Sequence, residues 1–246
     1  MDRNPRDRDD FSRFLVHLTR DYNKDNALDN LVNIIKTQTL EARNHHCLFK
    51  YDFDKLNFTK KLKNSFNTVC FTEVPLHQIK NITADIKRQI KLKPYGLVFW
   101  KAELFNKGAS PAIYINSTGS QLKKYLLDDF RKNFEDISRY AELTIEKSEF
   151  HKELVQYYSL INIVEPKHDF MWEREWRYTG SFKFRLVDLV GIIAEDSKSF
   201  REKCKAEITS EKILADLKRV PIISPEWGYE EMFEELAIKL WNNAGK

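Results

Sequence analysis

The stretch Asp169–Tyr178, DFMWEREWRY, sets two acids, Glu173 and Glu175, one residue apart, fenced by Trp172 and Trp176, with Arg174 and Arg177 beside them. Charged groups in such apolar company are costly to desolvate unless they are paired or put to use. Read as a strand, the stretch sends alternate side chains to opposite faces. Glu173, Glu175 and Arg177 then share one face, which reads as a polar cleft. Trp172, Arg174, Trp176 and Tyr178 share the other, which reads as core packing. Two carboxylates about 7 Å apart along one strand face repel each other, and the nearby Arg177 holds at least one of them ionised. A carboxylate fixed in this way can accept a hydroxyl proton, stabilise a developing oxocarbenium ion or orient a nucleophile. An exposed edge strand with an ordinary Glu–Arg ion pair gives the same pattern, and the spacing alone leaves both open.

Working outward, FMWEREWRYTGSFKF reads as a long strand or hairpin with a turn or bulge at Thr179–Gly180. Upstream, RFLVHLT is a short buried strand, and NALDNLVNIIKTQTL has Leu28, Leu31, Ile34 and Ile35 at helical spacing behind Asp25 or Asn26 as N-cap. From Glu41 to Phe66 the pattern weakens into a loop with a few aromatic anchors. NTVCFTEVPL is a second strand closed at Pro75, and HQIKNITADIKRQIKLK a helix with a basic polar side. GLVFWKAEL and SPAIYIN read as adjacent strands joined at Asn106–Gly108. Ser120 to about Ile145 has helical periodicity through Leu122, Tyr125, Leu126, Phe130, Phe134 and Ile137; Phe150–Val164 is a further helix or the approach to a strand. LVGIIA and VPIIS are short strands and DSKSFREKCKAEI a surface helix. GYEEMFEELAIKLW is an acidic helix with Met232, Phe233, Leu236 and Leu240 inward. Strands and helices mix without regular alternation, so the expected class is α+β, in one domain over residues 1–246 with 1–10 disordered.

Composition narrows the function classes. Hydrophobic residues at 42% and aromatic residues at 13% are those of a folded chain, not a disordered one. No window reaches the roughly 20 apolar residues that span a bilayer, and the opening MDRNPRDRDDFSRF has no signal-peptide core. Three well-separated cysteines give neither a disulfide framework nor a paired zinc spacing, so a reducing cytoplasm is expected. NHHC, Asn44–Cys47, has no second ligand cluster to complete a zinc site. A Gly-rich phosphate cradle, HExxH and Gly-x-Ser-x-Gly are all absent. The net charge of +4 is uneven: Lys50–Lys93 holds ten Lys or Arg against four Asp or Glu, a net +6. Such a surface can meet nucleic acid or another polyanion, or can be a solvated lysine-rich face. His17 and Thr19 share one face of the first strand, where a histidine satisfied by backbone is the plain alternative to a ligand contact. Glu73 either faces a cleft or caps the turn before Pro75.

Several segments carry a family resemblance. FLVHLT followed by ALDNLVNIIKTQTLEA resembles the opening of DarT-like ADP-ribosyltransferases, in which a His-x-Thr strand precedes such a helix. VCFTEVPL, YGLVFWKAEL, PAIYI and WEREWR together are more similar to the AbiGi-type abortive phage-resistance proteins, a family described as an antitoxin-like or defence component. The resemblance runs from Phe14 to Arg177, with PEWGYEEMFEELA in keeping. It implies an ADP-ribosyltransferase-like split β-sandwich that grips NAD, the substrate, between two small sheets. His17, with Thr19 on its face, matches the position that bonds the adenosine ribose, and Phe71 with Thr72 the element lining the nicotinamide. Glu175 matches the catalytic acid on the ribose 2′-hydroxyl, Glu173 the acid that orients an acceptor, and Arg177 the cation beside them. The chain departs from the pattern in having no clear second-motif tyrosine, with Tyr95 and Tyr114 both open for that place.

The function this implies is NAD-dependent transfer of ADP-ribose to a macromolecule, protein or nucleic acid, in phage defence or a toxin–antitoxin system. Nucleic acid would be met through Lys50–Lys93, with water in its place giving an NAD glycohydrolase. The rivals are a non-catalytic defence or antitoxin module that binds a nucleotide or a cognate toxin or antitoxin protein, and a basic nucleic-acid-binding domain.

Overall fold

The structure is a computed structural model that describes residues 11–84, 91–135, 149–164 and 171–244. The expected disorder of residues 1–10 lies outside them. The chain divides into two compact units, Met1–Thr39 with Phe71–Lys107 and Lys183–Lys246, and Leu40–Cys70 with Gly108–Phe182. The class is α+β, with parallel and antiparallel strand pairs, as expected.

In the first unit Phe14–Leu18 is flanked by Tyr95–Trp100, antiparallel from Phe14↔Trp100 to Leu18↔Gly96, and by the end of Thr68–Thr72 through Val16↔Thr72. Leu189–Ala194 continues antiparallel beyond Tyr95–Trp100, and Ile222–Ile223 closes the row in parallel. Alternation puts Val16, Val98 and Ile193 on one face against Val74, Ile79, Ile82 and Met232. Leu15, Leu97 and Ile192, all fully buried, occupy the other. Both faces are covered, which is why these strands read as near-continuous apolar runs. A Cβ on Gly96 would lie 2.4 Å from the His17 carbonyl oxygen, so only glycine lets these two backbones approach.

The helix Ala27–Thr37 begins where the sequence places it. Asn26 accepts from the Asp29 N–H at 2.9 Å while Asp29 accepts from the Asn26 N–H at 3.2 Å, a reciprocal cap. Gln38, at φ 48°, ends it. The surface helix Ser197–Glu207 is tied to it by Lys203–Asp29 at 2.5 Å.

The second unit is built on aromatic rings. The helix Gln121–Phe134 turns Leu126, Phe130 and Phe134 inward. Phe130 stacks on Phe49 at 4.5 Å and meets Phe134 at 4.8 Å and Tyr158 at 5.0 Å. Around them pack Phe53, Phe58 and Phe66. Glu175–Thr179 lies between Thr68–Thr72 and Ser110–Pro111, and Ile113–Asn116 pairs in parallel with Ile161–Val164.

Several expectations are corrected. Glu41–Phe66 is not plain loop: it holds the short helices Asp52–Lys55 and Lys60–Ser65, whose periodicity is too brief to read. GLVFWKAEL is a strand only to Trp100, and Lys101–Asn106 is helical. Ser110–Pro111 pairs with Glu175–Thr179 instead of with that strand. The helix expected over HQIKNITADIKRQIKLK is a 3-10 turn and Ile79–Thr83, after which Ala84 is extended; residues 85–90 lie outside the description. Thr83 bonds back to the Ile79 carbonyl, one of the local bonds that compete with helix propagation. Phe233, read as inward, is exposed, as are Leu122 and Tyr125 of the helical period after Ser120. Ile137 and the side chains of Leu236 and Leu240 lie outside the description.

Removing one ring from the aromatic cluster tests its weight. Phe130→Ala is expected to lower stability by about 3–5 kcal/mol in denaturant titration, and Phe130→Leu by clearly less, because leucine refills part of the cavity.

Candidate functional site

The site grows from one backbone irregularity. Met171–Glu173 forms a 3-10 turn, the Arg174 N–H donates to the Met171 carbonyl at 3.1 Å, and Arg174 sits at φ 45°, in the left-handed region. The strand therefore starts at Glu175. This corrects the expected alternation: Glu173 stands on the turn, so it does not share a strand face with Glu175 through the pleat, and Trp172 and Arg174 are likewise off the strand. Glu175 and Arg177, two residues apart, do share a face, and Trp176 lies on the other.

That face is buried, not an open polar surface. The Arg177 side chain is 1% exposed and that of Glu175 13%. Arg177 grips Glu175 with both arms, Nε to Oε1 and Nη2 to Oε2, each at 3.0 Å, and its Nη1 donates to the Ser159 carbonyl at 2.8 Å. Tyr114 donates its hydroxyl to Glu175 Oε2, and the Cys70 thiol also bonds this carboxylate. Ser110 pairs with Arg177 in register, and the Ala112 N–H donates to the Glu175 carbonyl at 2.8 Å. This hairpin-like pairing carries Tyr114, two residues further on, to the acid.

The electrostatics follow from that packing. Burial pushes the Glu175 carboxyl up, but the Arg177 charge and the bonds from Arg177, Tyr114 and Cys70 outweigh it and hold it below its ordinary range. Burial lowers Arg177, yet the Glu175 charge and hydrogen bonds, with Cys70 and Tyr114 acting the same way, together more than reverse this. Burial and then the Glu175 charge push the Tyr114 hydroxyl and the Cys70 thiol up, so both remain protonated donors. Glu173 acts in the same direction on Tyr114, with a smaller effect. The arrangement is a carboxylate fixed in its ionised form by two charged and two neutral donors.

The remaining expected site residues are in the other unit. His17 meets Phe71 edge-on at 5.9 Å, and Phe71 meets Phe99 in the same manner. The Thr19 hydroxyl lies 2.9 Å from the Ala27 carbonyl and 3.1 Å from that of Tyr95, fastening the start of the first helix to the sheet. Thr72 Oγ1 accepts from the Val74 N–H at 3.2 Å. The structure thus joins His17 with Phe71 in one unit and Glu175 with Arg177 in the other. Between the two tyrosines considered, Tyr114 contacts the acid, whereas the Tyr95 hydroxyl points to Glu195 at 3.5 Å. Sequence reasoning missed the part of Cys70. The signal available was its place two residues after Thr68 in a strand beside the Glu175 strand.

Glu73 is bound by Lys101 at 2.6 Å. Burial pushes the Cys47 thiol of NHHC up to about 11, which keeps it protonated and a poor metal ligand. Among the described residues no group of three or more His, Cys, Asp or Glu could hold a metal ion, and no helix is long and apolar enough to cross a membrane.

Comparison with known proteins adds one finding. No curated protein and no solved structure matches the chain. One family model does, described as abortive phage resistance protein AbiGi, antitoxin, over residues 32–215. The match takes in Cys70, Tyr114, Glu173, Glu175 and Arg177, and begins after His17 and Thr19. On that span, which is most of its length, the chain belongs to the AbiGi family, a phage-resistance family associated with antitoxins.

Proposed function

We propose that this protein serves phage defence as an antitoxin module, restraining a cognate toxin protein by binding it and performing no chemistry on NAD. The observation that carries this reading is the occupied carboxylate of Glu175. A carboxylate offers about four lone-pair sites, and Arg177 takes two while Tyr114 and Cys70 take one each. To grip a ribose 2′-hydroxyl it would have to release a donor, and a bond to a charged group is worth about 1.5–3 kcal/mol. Buried and saturated in this way, Glu175 with Arg177 acts as a framework pair. The family description as an antitoxin supports the same reading.

A second reading is kept because Tyr114 rests on Glu175 and Glu173 lies within electrostatic reach of that hydroxyl. It is an NAD-dependent ADP-ribosyltransferase with the split β-sandwich of the DarT-like enzymes. Glu175 would stabilise the oxocarbenium ion, Glu173 would activate the acceptor, and His17, Thr19, Phe71, Thr72 and Arg177 would hold NAD. A macromolecular acceptor, nucleic acid on Lys50–Lys93 included, makes it a transferase, and water makes it a glycohydrolase. The backbone duties of Thr19 and Thr72 weigh against it.

Incubation with NAD carrying one label in the nicotinamide and another in the adenylate, together with cell lysate, separates the two. The antitoxin reading expects nicotinamide release at the buffer level and no labelled macromolecule, with relief of toxin-induced growth arrest at unchanged cellular NAD. Release that disappears in a cooperatively folded Glu175→Gln variant would establish the enzyme instead.

The framework role has its own consequence. Arg177→Met strands a buried carboxylate and is expected to cost about 3–5 kcal/mol in urea titration, with the double variant Glu175→Gln/Arg177→Met recovering part of it. The pH dependence has a fixed sign. The folded Glu175 carboxyl lies below its ordinary 4.5, so its contribution is complete above that value and is lost as pH falls through the folded value. In Arg177→Met only the Tyr114 and Cys70 bonds are left to oppose burial at Glu175, so this acid-side loss of stability is expected to shrink.

A further inference from the structure

The most exposed large apolar side chains include Tyr51 and Tyr229, each 71% exposed, and Phe233 at 65%. They stand in opposite electrostatic settings. On the helix Tyr229–Ala244, Tyr229 and Phe233 are four residues apart and form one outward stripe, while Met232 is buried. The adjoining row is Glu230 and Glu234, both exposed, with exposed Glu226 just before the helix. Glu231 is used differently, accepting from the Gly228 N–H at 2.5 Å.

Tyr51 has the reverse surroundings. The Lys50 ammonium lies 4.9 Å from its ring centroid, and Lys60 and Lys61 are exposed in the same short stretch. The acids there are already neutralised. Asp52 is buried and takes Arg131 Nε at 2.9 Å and Nη2 at 2.7 Å, and Asp54 takes Lys63 at 2.5 Å. The outward field of this stretch is therefore positive around an exposed ring.

We propose that this chain self-associates through these two patches, the acidic Tyr229–Phe233 stripe of one copy docking on the basic Tyr51 patch of another. Each patch supplies what the other lacks: apolar area for an interface centre, and a rim of opposite charge. Either alone is a solvated face. The chain carries both, so its own second copy is the occupant whose chemistry is on view. The contact joins unlike surfaces and is heterologous. It does not depend on whether the protein is an antitoxin or an enzyme.

Light scattering of the purified full chain over a concentration series reads the association directly. Mass is expected to rise with concentration and to fall between roughly 0.05 M and 0.5 M salt, as screening shortens the reach of the rim charges. Tyr229→Ala/Phe233→Ala and the charge reversals Glu230→Lys/Glu234→Lys and Lys60→Glu/Lys61→Glu are each expected to weaken it by about tenfold or more. All are surface changes, with folding checked by circular dichroism. Mixing the two charge-reversed variants is decisive, because every contact between unlike partners then again pairs opposite charges. The mixture is expected to associate where each variant alone does not. A chain that stays monomeric at every concentration, an association indifferent to these variants, or a mixture that fails to recover would each overturn the proposal. So would nucleic acid captured at Lys60 and Lys61 by an otherwise monomeric chain.

Discussion

A guanidinium with 1% of its side-chain surface exposed must have every arm answered from within the protein, and Arg177 sets that demand for the second unit. Three elements beyond its own strand meet it directly or through Glu175. The helix Glu149–Leu160 supplies the Ser159 carbonyl, Ile113–Asn116 supplies Tyr114, and Thr68–Thr72 supplies Cys70. Each of these segments has apolar reasons to be where it is, with Tyr158 and Ile115 in the aromatic cluster and Val69 buried. Apolar packing is tolerant of small shifts. The guanidinium is not, because an unanswered donor at that depth costs about 1–3 kcal/mol or more.

The same constraint bears on chemistry. A general base or ribose anchor works by offering a lone pair to a substrate that arrives from solvent. Glu175 is ionised, which suits such a role, but its lone pairs are turned inward to donors of its own chain. Ionisation without availability fits the framework role proposed for this acid. Perturbed carboxyls gather at active sites, yet buried ion-pair networks perturb them equally well, and geometry has to decide between the two.

What the sequence made legible and what it hid divide along physical lines. Phe14–Leu18, Leu189–Ala194 and Ala27–Thr37 were readable because their apolar period is long and their caps are local. The capping box of Asn26 and Asp29 lies within four residues. The short helices Asp52–Lys55 and Lys60–Ser65 were hidden because less than two turns carry no period, and their order comes from Phe53, Phe58 and Leu62 packing on distant rings. Glu175 with Arg177 was legible from alternation, and the pairing is as read. Glu173 was placed wrongly because nothing in its neighbours marks Arg174 as left-handed; arginine there is unusual, and no glycine or asparagine signals it. Tyr114 could be named only as one of two tyrosines, since the choice rests on which strand Ser110–Pro111 pairs with, a non-local fact.

The buried pair also answers a problem of register. Along Glu175–Thr179 both faces are covered, with Trp176 at 8% on one side and Arg177 at 1% on the other. A strand that is half-exposed is held in register by its apolar face, since a slip of one residue would turn that face to water. Here a slip would exchange one buried face for another, and a tryptophan can fill either. A slipped Arg177 cannot be accommodated in that way: it would lose Ser159 and carry its charge to the side where Trp176 now packs. Replacing Glu175 and Arg177 by apolar residues could leave stability near its present level. What it would remove is the penalty on the wrong register, and with it the reason the strand that follows the Met171–Glu173 turn has a single place to go.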